Sequence, residues 1–299
     1  MWRRPRQAMP RDGRAAAKGL VMRFTKMQGL GNDYVYVDCF QEQIADPQKL
    51  AVAVSDRHFG IGADGLILIC PSETADVAMR MFNADGSEAQ MCGNGVRCLA
   101  KYAYDYGLTT ANPMEVATAA GIKTIELSLG PDGKVIAATV DMGAPILDPQ
   151  RIPVNISQPK AVDISIRTVK RMFQMTCVSM GNPHAVIFVD DVAAVPLADV
   201  GSELEIHPLF PERINVHFVE VHSPEEVTMR TWERGSGITL ACGTGASAVC
   251  VAAALTQRTG RQITAHLPGG DLKLEWAKKT DHVLMTGPAV EVFRGDWPD

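Results

Sequence analysis

The sequence has 299 residues, of which 46% are hydrophobic and 21% are charged, and this composition excludes disordered and fibrous classes. The formal net charge of −5 at pH 7 predicts no basic surface, which argues against a nucleic-acid partner. A chain of this length exceeds what one core usually supports, so we expect two domains of about 140 residues each.

The first 21 residues are the only segment with a different character. They carry six basic residues against one acid, Asp12. No apolar segment of the signal-peptide type follows them. We therefore predict that residues 1–21 are a disordered basic extension and that the folded unit begins at Met22. No apolar run reaches the length of a membrane-spanning helix, so we expect no membrane partner.

Short apolar or alternating runs recur along the rest of the chain and predict strands. The predicted strands are residues 35–39, 66–70, 77–82, 122–129, 134–141, 173–179, 185–189, 214–221, 227–232, 272–276 and 283–286. Helices are predicted over 95–106 and 246–258, each starting after a Cys-Gly-x-Gly motif. The second helix is apolar on all sides, which predicts that it is buried.

The chain repeats its landmarks at a spacing of domain size. Gly31 and Gly181 each begin a Gly-Asn pair, and Cys92 and Cys242 each begin a Cys-Gly-x-Gly motif, with 150 residues between equivalents in both cases. Such self-similarity indicates a duplicated unit. Two copies around a pseudo-twofold axis would bring both cysteines to one central cleft. A thiol on each face of a bound molecule is what inversion at a carbon atom requires.

The predicted fold class is therefore α/β (α+β). We expect two similar domains related by a pseudo-twofold axis, each with a curved, mostly antiparallel sheet around a central helix, and an active site in the cleft between them. The predicted N-terminal domain is 22–141, completed by 288–299, and the C-terminal domain is 142–287. Glycines and prolines interrupt the pattern over residues 141–153, where we place the connection.

The motif places each thiol at a helix N-terminus. Free N–H groups and the helix dipole at this position lower the pKa of a thiol and can hold a ligand carboxylate. A thiolate on one side would remove the α-proton of an amino acid, while a thiol on the other side would return a proton. No lysine lies in a recognisable cofactor motif, so we predict a reaction by two positioned thiols without an imine-forming cofactor.

Several segments resemble the signatures of the diaminopimelate epimerase family. They are residues 29–33, 57–65, 82–87, 92–97, 181–184, 232–235 and 241–246. The resemblance runs from about Met22 to the end of the chain. It implies interconversion of LL- and meso-diaminopimelate without cofactor or metal, for lysine and peptidoglycan synthesis. It also implies two similar α/β domains with the site between them, and a homodimer.

The resemblance implies a role for each matching residue. Cys92 and Cys242 would be the acid and base, and Glu233 would bind the ammonium group of the reacting centre. The carboxylate of that centre would be held by Gly93, Asn94, Gly243 and Thr244. The distal carboxylate and amine would be bound by Arg234, Asn83 and Asn215. The same cavity would be lined by Asn32 and Asn182, and His184 would be important for activity.

Two positions depart from the family pattern. Gly65 stands where some members have a glutamine that contacts substrate, so that contact is missing or supplied by another residue. Phe293 stands where a tyrosine often contributes to the dimer contact. A homodimer remains our expectation, because the loss of one hydroxyl group is tolerable.

Three other functions compete with this interpretation. A proline racemase-like enzyme of the same fold usually has histidine at the position of Asn94 and lacks the run at 83–87. A thiol–disulfide redox protein usually carries a Cys-x-x-Cys pair, which this sequence lacks. A zinc site is disfavoured because neither Cys92 nor Cys242 has a partner at ligand spacing.

The remaining cysteines indicate the cellular compartment. There are seven cysteines, an odd number, and five of them lie inside apolar runs as small hydrophobic residues. These five are Cys39, Cys70, Cys98, Cys177 and Cys250. We therefore expect a reducing, cytoplasmic location without a disulfide framework.

Overall fold

The structure is a computed structural model that describes residues 21–169 and 171–298. The predicted extension lies outside the described residues except for Val21, which begins the first strand. The first half contains β1 (Val21–Gly29), β2 (Asn32–Asp38), α1 (Pro47–Ser55), β3 (Gly65–Cys70), β4 (Val77–Asn83), β5 (Glu88–Ala89), α2 (Gly93–Asp105), β6 (Met114–Thr118), β7 (Gly121–Leu129) and β8 (Val135–Asp141).

The second half repeats this order of elements. It contains β9 (Ile164–Arg167), β10 (Met172–Ser179), β11 (Pro183–Phe188), α3 (Leu197–Glu205), β12 (Asn215–Ser223), β13 (Glu226–Glu233), β14 (Gly237–Thr239), α4 (Gly243–Leu255), β15 (Gln262–Leu267), β16 (Gly270–Trp276), β17 (Val283–Pro288) and β18 (Val290–Pro298). None of these helices is long and apolar enough to cross a membrane.

Strand pairing is the same in the two halves. β2 runs parallel to β3 and β4 to β6, as β11 runs parallel to β12 and β13 to β15. The register is also conserved, since Tyr34 lies opposite Gly65 and His184 lies opposite Asn215, 150 residues further on. The other pairs within each half are antiparallel. The repeat read from the sequence is therefore present in the topology.

Each half wraps its sheet around one helix. α2 packs against β1 to β4 and β6 to β8, and α4 packs against β10 to β12 and β15 to β17. In α4, small residues allow strands to approach from every side, and ten of its 13 residues are buried. The predicted fold class is confirmed. Antiparallel pairing of β8 with β17 joins the halves, and β18 pairs with β1 as β9 pairs with β10.

The structure also corrects the predicted elements. α1 and α3 were not predicted, although Asp46 caps α1 by accepting a hydrogen bond from the Lys49 N–H at 3.0 Å. α4 ends at Leu255 rather than at residue 258, because Gln257 adopts a left-handed conformation with φ 58°. The strands absent from the prediction are β1, β5, β6, β9, β14, β15 and β18.

Candidate active site

A cavity of about 1020 Å³ lies between the two halves. Cys92 and Cys242 both line it, and each is the N-cap residue of its helix, with φ near −131° and −132°. This confirms that each thiol lies at a helix N-terminus. Ten of the thirteen predicted site residues line the cavity, namely Asn32, Asn83, Cys92, Gly93, Asn94, Asn182, Glu233, Cys242, Gly243 and Thr244.

The thiol of Cys92 lies among amide groups. Its Sγ donates to Asn32 Oδ1 at 3.2 Å, and Asn94 Nδ2 donates to the same oxygen at 3.4 Å. Burial raises the pKa of Cys92, although the N–H groups of Gly95 and Asn94 and the hydroxyl of Tyr34 oppose that rise. The thiol is thus protonated at rest and has donors ready to stabilise its thiolate.

The thiol of Cys242 lies beside an acid. Burial raises the pKa of Cys242 well above its usual value, and the negative charge of Glu233 raises it further. The prediction that a helix N-terminus depresses both thiol pKa values is therefore wrong. The helix N–H groups do act in that direction, but loss of water around each sulfur outweighs them.

Glu233, the last residue of β13, presents an unpaired acid to the cavity. Burial raises the pKa of its carboxyl group. Among residues 21–169 and 171–298, Glu233 forms no ion pair with a basic side chain. A cationic group of a ligand would complete this arrangement.

Two predicted residues beside Glu233 lie away from the cavity. Arg234 is exposed, and its guanidinium group donates to Glu212 O at 2.9 Å. Asn215 is buried, where its Nδ2 donates to Pro183 O at 2.8 Å and its Oδ1 accepts from the Arg234 N–H at 2.9 Å. In this structure Asn215 therefore joins the backbone next to Asn182 to the backbone next to Glu233, two residues of the second half that line the cavity.

His184 reaches the cavity only through a neighbour. Its Nε2 lies 2.9 Å from Asn182 Oδ1, and its Nδ1 lies 2.9 Å from His217 Nε2. His217 Nδ1 lies 3.0 Å from Thr231 Oγ1. Because an amide oxygen only accepts, Nε2 of His184 carries the proton and donates to Asn182 Oδ1. Nδ1 of His184 therefore accepts from Nε2 of His217, and Nδ1 of His217 accepts from the Thr231 hydroxyl group. Burial holds the pKa of His184 well below its usual value and lowers the pKa of His217 to about 3, so both rings are neutral.

Comparison with known proteins identifies the family. A sequence model described as diaminopimelate epimerase matches residues 24–147 and 176–292. The diaminopimelate epimerase of Acetivibrio thermocellus is 56% identical over 92% of this chain and 98% of its own length. That of Methanococcus maripaludis is 50% identical over 92% and 99%. This chain belongs to the diaminopimelate epimerase family.

Solved structures of other proteins share the fold of this epimerase-family chain. A Bacillus anthracis phenazine biosynthesis protein of the PhzF family superposes with a TM-score of 0.69 and 16% identity, covering 94% of this chain and 100% of that chain. A hydroxyproline epimerase from Agrobacterium vitis gives 0.64 and 16%, covering 93% and 91%. At this level of identity the likeness concerns the fold alone.

Several residues that line the cavity of this family member are absent from the predicted set of site residues, and three of them carry ionisable side chains close to Asn32 or Cys92. These three are Tyr34, Arg57 and Asp64. Arg57 pairs with Asp64 at 2.9 Å, and Asp64 accepts from Asn32 Nδ2 at 2.7 Å. Tyr34 lies 150 residues before His184, so the repeat itself was a signal that could have found it.

Gly65 lies in close contact with the neighbouring strand. A Cβ atom at this position would lie 2.1 Å from the carbonyl oxygen of Phe82 on the neighbouring strand β4. No side chain fits there without movement of the backbone. Position 65 therefore offers no side chain to a ligand, and Arg57 and Asp64 are among the charged residues that line the cavity.

Proposed function

We propose that the protein is an isomerase that epimerises LL-2,6-diaminopimelate to meso-diaminopimelate by two thiols, without a cofactor, in lysine and peptidoglycan biosynthesis. The observation that carries this proposal is the pair of cysteines at equivalent helix N-termini facing one cavity. Membership of the family supports a small-molecule amino-acid substrate.

The charges of the cavity suit the reacting end of an amino acid. Glu233 has no basic partner among the described side chains and would bind the ammonium group. The N–H groups at the starts of α2 and α4 would hold the carboxylate, at Gly93, Asn94, Gly243 and Thr244. These donors are oriented before the reaction and would stabilise the negative charge that develops when the α-proton leaves.

The reaction needs only the two thiols. The Cys92 thiolate would take the α-proton and become a thiol, while the Cys242 thiol would give its proton to the opposite face of the same carbon and become a thiolate. The C–H bond broken on one face is replaced by a C–H bond formed on the other, so no oxidant or metal is needed. The reverse reaction exchanges the two roles.

The distal end of diaminopimelate would be bound by Asn83, Asn215 and Arg234. Of these, Asn83 lines the cavity, Arg234 donates to Glu212 O outside it, and the Asn215 amide is bonded to the backbone of Pro183 and Arg234. Binding would therefore require the guanidinium group to exchange the Glu212 carbonyl for the ligand carboxylate. Such a movement would accompany closure of the two halves and exclude water from the thiolate. Asn182 and His184 would support the second wall.

We also propose the domain division 22–141 with 288–299, and 142–287. The pairing of β18 with β1 supports it. Exposed apolar side chains on these two strands support a homodimer through this face, at Val21, Val290, Val292 and Phe293. All seven cysteines are free, which supports a cytoplasmic location.

The proposal is tested with purified protein under reducing conditions, without added cofactor. Incubation with LL-diaminopimelate should produce the meso isomer. Chiral chromatography would separate the two isomers and measure the amount of each. L-proline in a parallel reaction is the control for the racemase alternative. Inversion of proline without inversion of diaminopimelate would overturn the proposal.

A further inference from the structure

Arg97 is a buried cation without an acid. Its side chain has 0% exposure, and its guanidinium group donates to Asn94 Oδ1 at 2.9 Å, Gly93 O at 3.2 Å and Pro288 O at 3.2 Å. All three acceptors are neutral. None of the ion pairs in residues 21–169 and 171–298 includes Arg97. A buried charge in this position is unfavourable unless an anion is present.

The surrounding backbone leaves room for this guanidinium group. A Cβ atom at Gly29 on β1 would lie 3.1 Å from Nη2 of Arg97. A Cβ atom at Gly287 on β17 would lie 3.1 Å from its Cζ and Nε. Arg97 thus extends from α2 between strands of both halves, at a place where side chains on either strand would crowd it.

The equivalent position in the second half is neutral. Ser247, 150 residues after Arg97, is buried in the second turn of α4 and donates to Gly243 O at 3.0 Å. The unpaired charge beside Cys242 is instead the acid Glu233. The two thiols therefore lie at equivalent points of the fold beside charges of opposite sign.

The hydrogen bonds connect Arg97 to the first thiol. Because Asn94 Oδ1 accepts from Arg97, the Nδ2 group of Asn94 is directed to Asn32 Oδ1, the atom that also accepts from Cys92 Sγ. The positive end of the α2 dipole lies at the same place. A guanidinium group and a helix N-terminus both favour an anion there, and none of the side chains in the described part of the chain supplies one.

We propose that Arg97 is a positioning residue that stabilises negative charge at the N-terminus of α2, so that Cys92 is the first of the two thiols to ionise. The positive charge of Arg97 would also stabilise the ligand carboxylate held beside Gly93 and Asn94. This second role rests on the proposed function. Cys242, beside Glu233, keeps its proton when Cys92 ionises and then acts as the proton donor.

Few other ionisable groups face this region. Tyr34 and Tyr36 approach from β2, and Cys98 lies next to Arg97 on α2. None of these three carries a positive charge. Asp64 lies beyond Asn32 and is paired with the Arg57 guanidinium group. Arg97 is thus the described cation that acts on Cys92 without a carboxylate partner.

The test follows the alkylation of each cysteine by iodoacetamide between pH 6 and 10, resolved by peptide mass spectrometry. In the unaltered chain, the Cys92 rate should begin to rise at lower pH than the Cys242 rate. Arg97→Gln should move the Cys92 curve to higher pH, and a rise of one pH unit in its midpoint would slow alkylation about tenfold at a fixed pH. Arg97→Lys should restore the curve toward its original position.

Two controls separate charge from folding. Ser247→Ala changes the equivalent site on α4 and should leave the Cys92 curve in place. Circular dichroism reports whether Arg97→Gln is folded. A folded Arg97→Gln chain with an unmoved Cys92 curve would overturn the inference. If Arg97→Gln does not fold, the unaltered chain still tests the inference. The inference would be overturned if the Cys242 alkylation curve of that chain had its midpoint at or below the pH of the Cys92 midpoint. Alkylation needs no substrate, so this result is independent of the proposed reaction.

Discussion

The two halves share their topology and differ in the charges beside their thiols. In the first half Cys92 lies near Arg97, a buried cation with no acidic partner among the described residues. In the second half Cys242 lies near Glu233, a buried acid that raises its pKa. The repeated fold places two thiols at equivalent positions, and the different residues around them make Cys92 suited to lose a proton and Cys242 suited to keep it.

Removing either thiol should have the largest effect. Cys92→Ala and Cys242→Ala should each lower the rate of inversion by about 10²–10⁴-fold or more, because each face needs its own proton carrier. Cys242→Ala should retain halide elimination from a 3-halo analogue of diaminopimelate, since Cys92 remains as base. Cys250→Ala, within α4, is the control and should keep inversion. If Cys92→Ala or Cys242→Ala inverted diaminopimelate at the rate of the unaltered chain, the two-thiol mechanism would be wrong.

Glu233→Gln sharpens the contrast between the halves. Loss of the charged contact to the ammonium group should raise KM about tenfold or more, as expected for about 1.5–3 kcal/mol. Because the negative charge beside Cys242 is removed, that thiol should ionise at lower pH and alkylate faster at a fixed pH. Glu226→Gln, on the same strand, is the control. An unchanged Cys242 alkylation profile would show that Glu233 does not act on this thiol.

His217 marks a second difference, because Ile67 occupies the equivalent position in the first half. His217→Ile should lower the free energy of unfolding by about 1–3 kcal/mol, since Nδ1 of buried His184 loses its donor. His217→Gln keeps an N–H group and should recover part of this loss. Urea denaturation measures both, and equal stability of the Ile and Gln variants would refute the hydrogen-bond chain.

A smaller contrast concerns His266 on β15, where Val116 is the equivalent residue on β6. Hydrogen bonds to Asp271 and Glu226 raise the pKa of His266. A histidine whose pKa is higher in the folded than in the unfolded protein stabilises the fold at pH values below its unfolded-state pKa. This stabilisation is lost as the pH rises through its folded-state pKa. With 32% of the side chain exposed, the effect should stay under about 1 kcal/mol. His266→Gln should lower Tm at pH 5.5 and leave it unchanged at pH 8.5.

Most features of the fold and site that could be predicted from the sequence follow from the 150-residue repeat. Local patterns located most of the strands and the two central helices, and the 150-residue spacing placed both thiols at one cavity. α1 and α3 were not predicted because each has only nine residues, which is short for a helical pattern to be recognised. The direction of the thiol pKa shifts was wrong, because burial is a property of tertiary packing. The burial of Arg97 without an acid likewise depends on Gly29 and Gly287, which are distant in sequence.

The most direct test of the two-thiol account is early exchange of LL-diaminopimelate in heavy water, followed by mass spectrometry of both isomers. The account predicts meso product with one deuterium at the inverted carbon, while the remaining LL substrate stays unlabelled at that carbon, because the proton returned comes from the second thiol. Deuterium entering LL substrate as fast as meso product forms would indicate a single base and contradict the account.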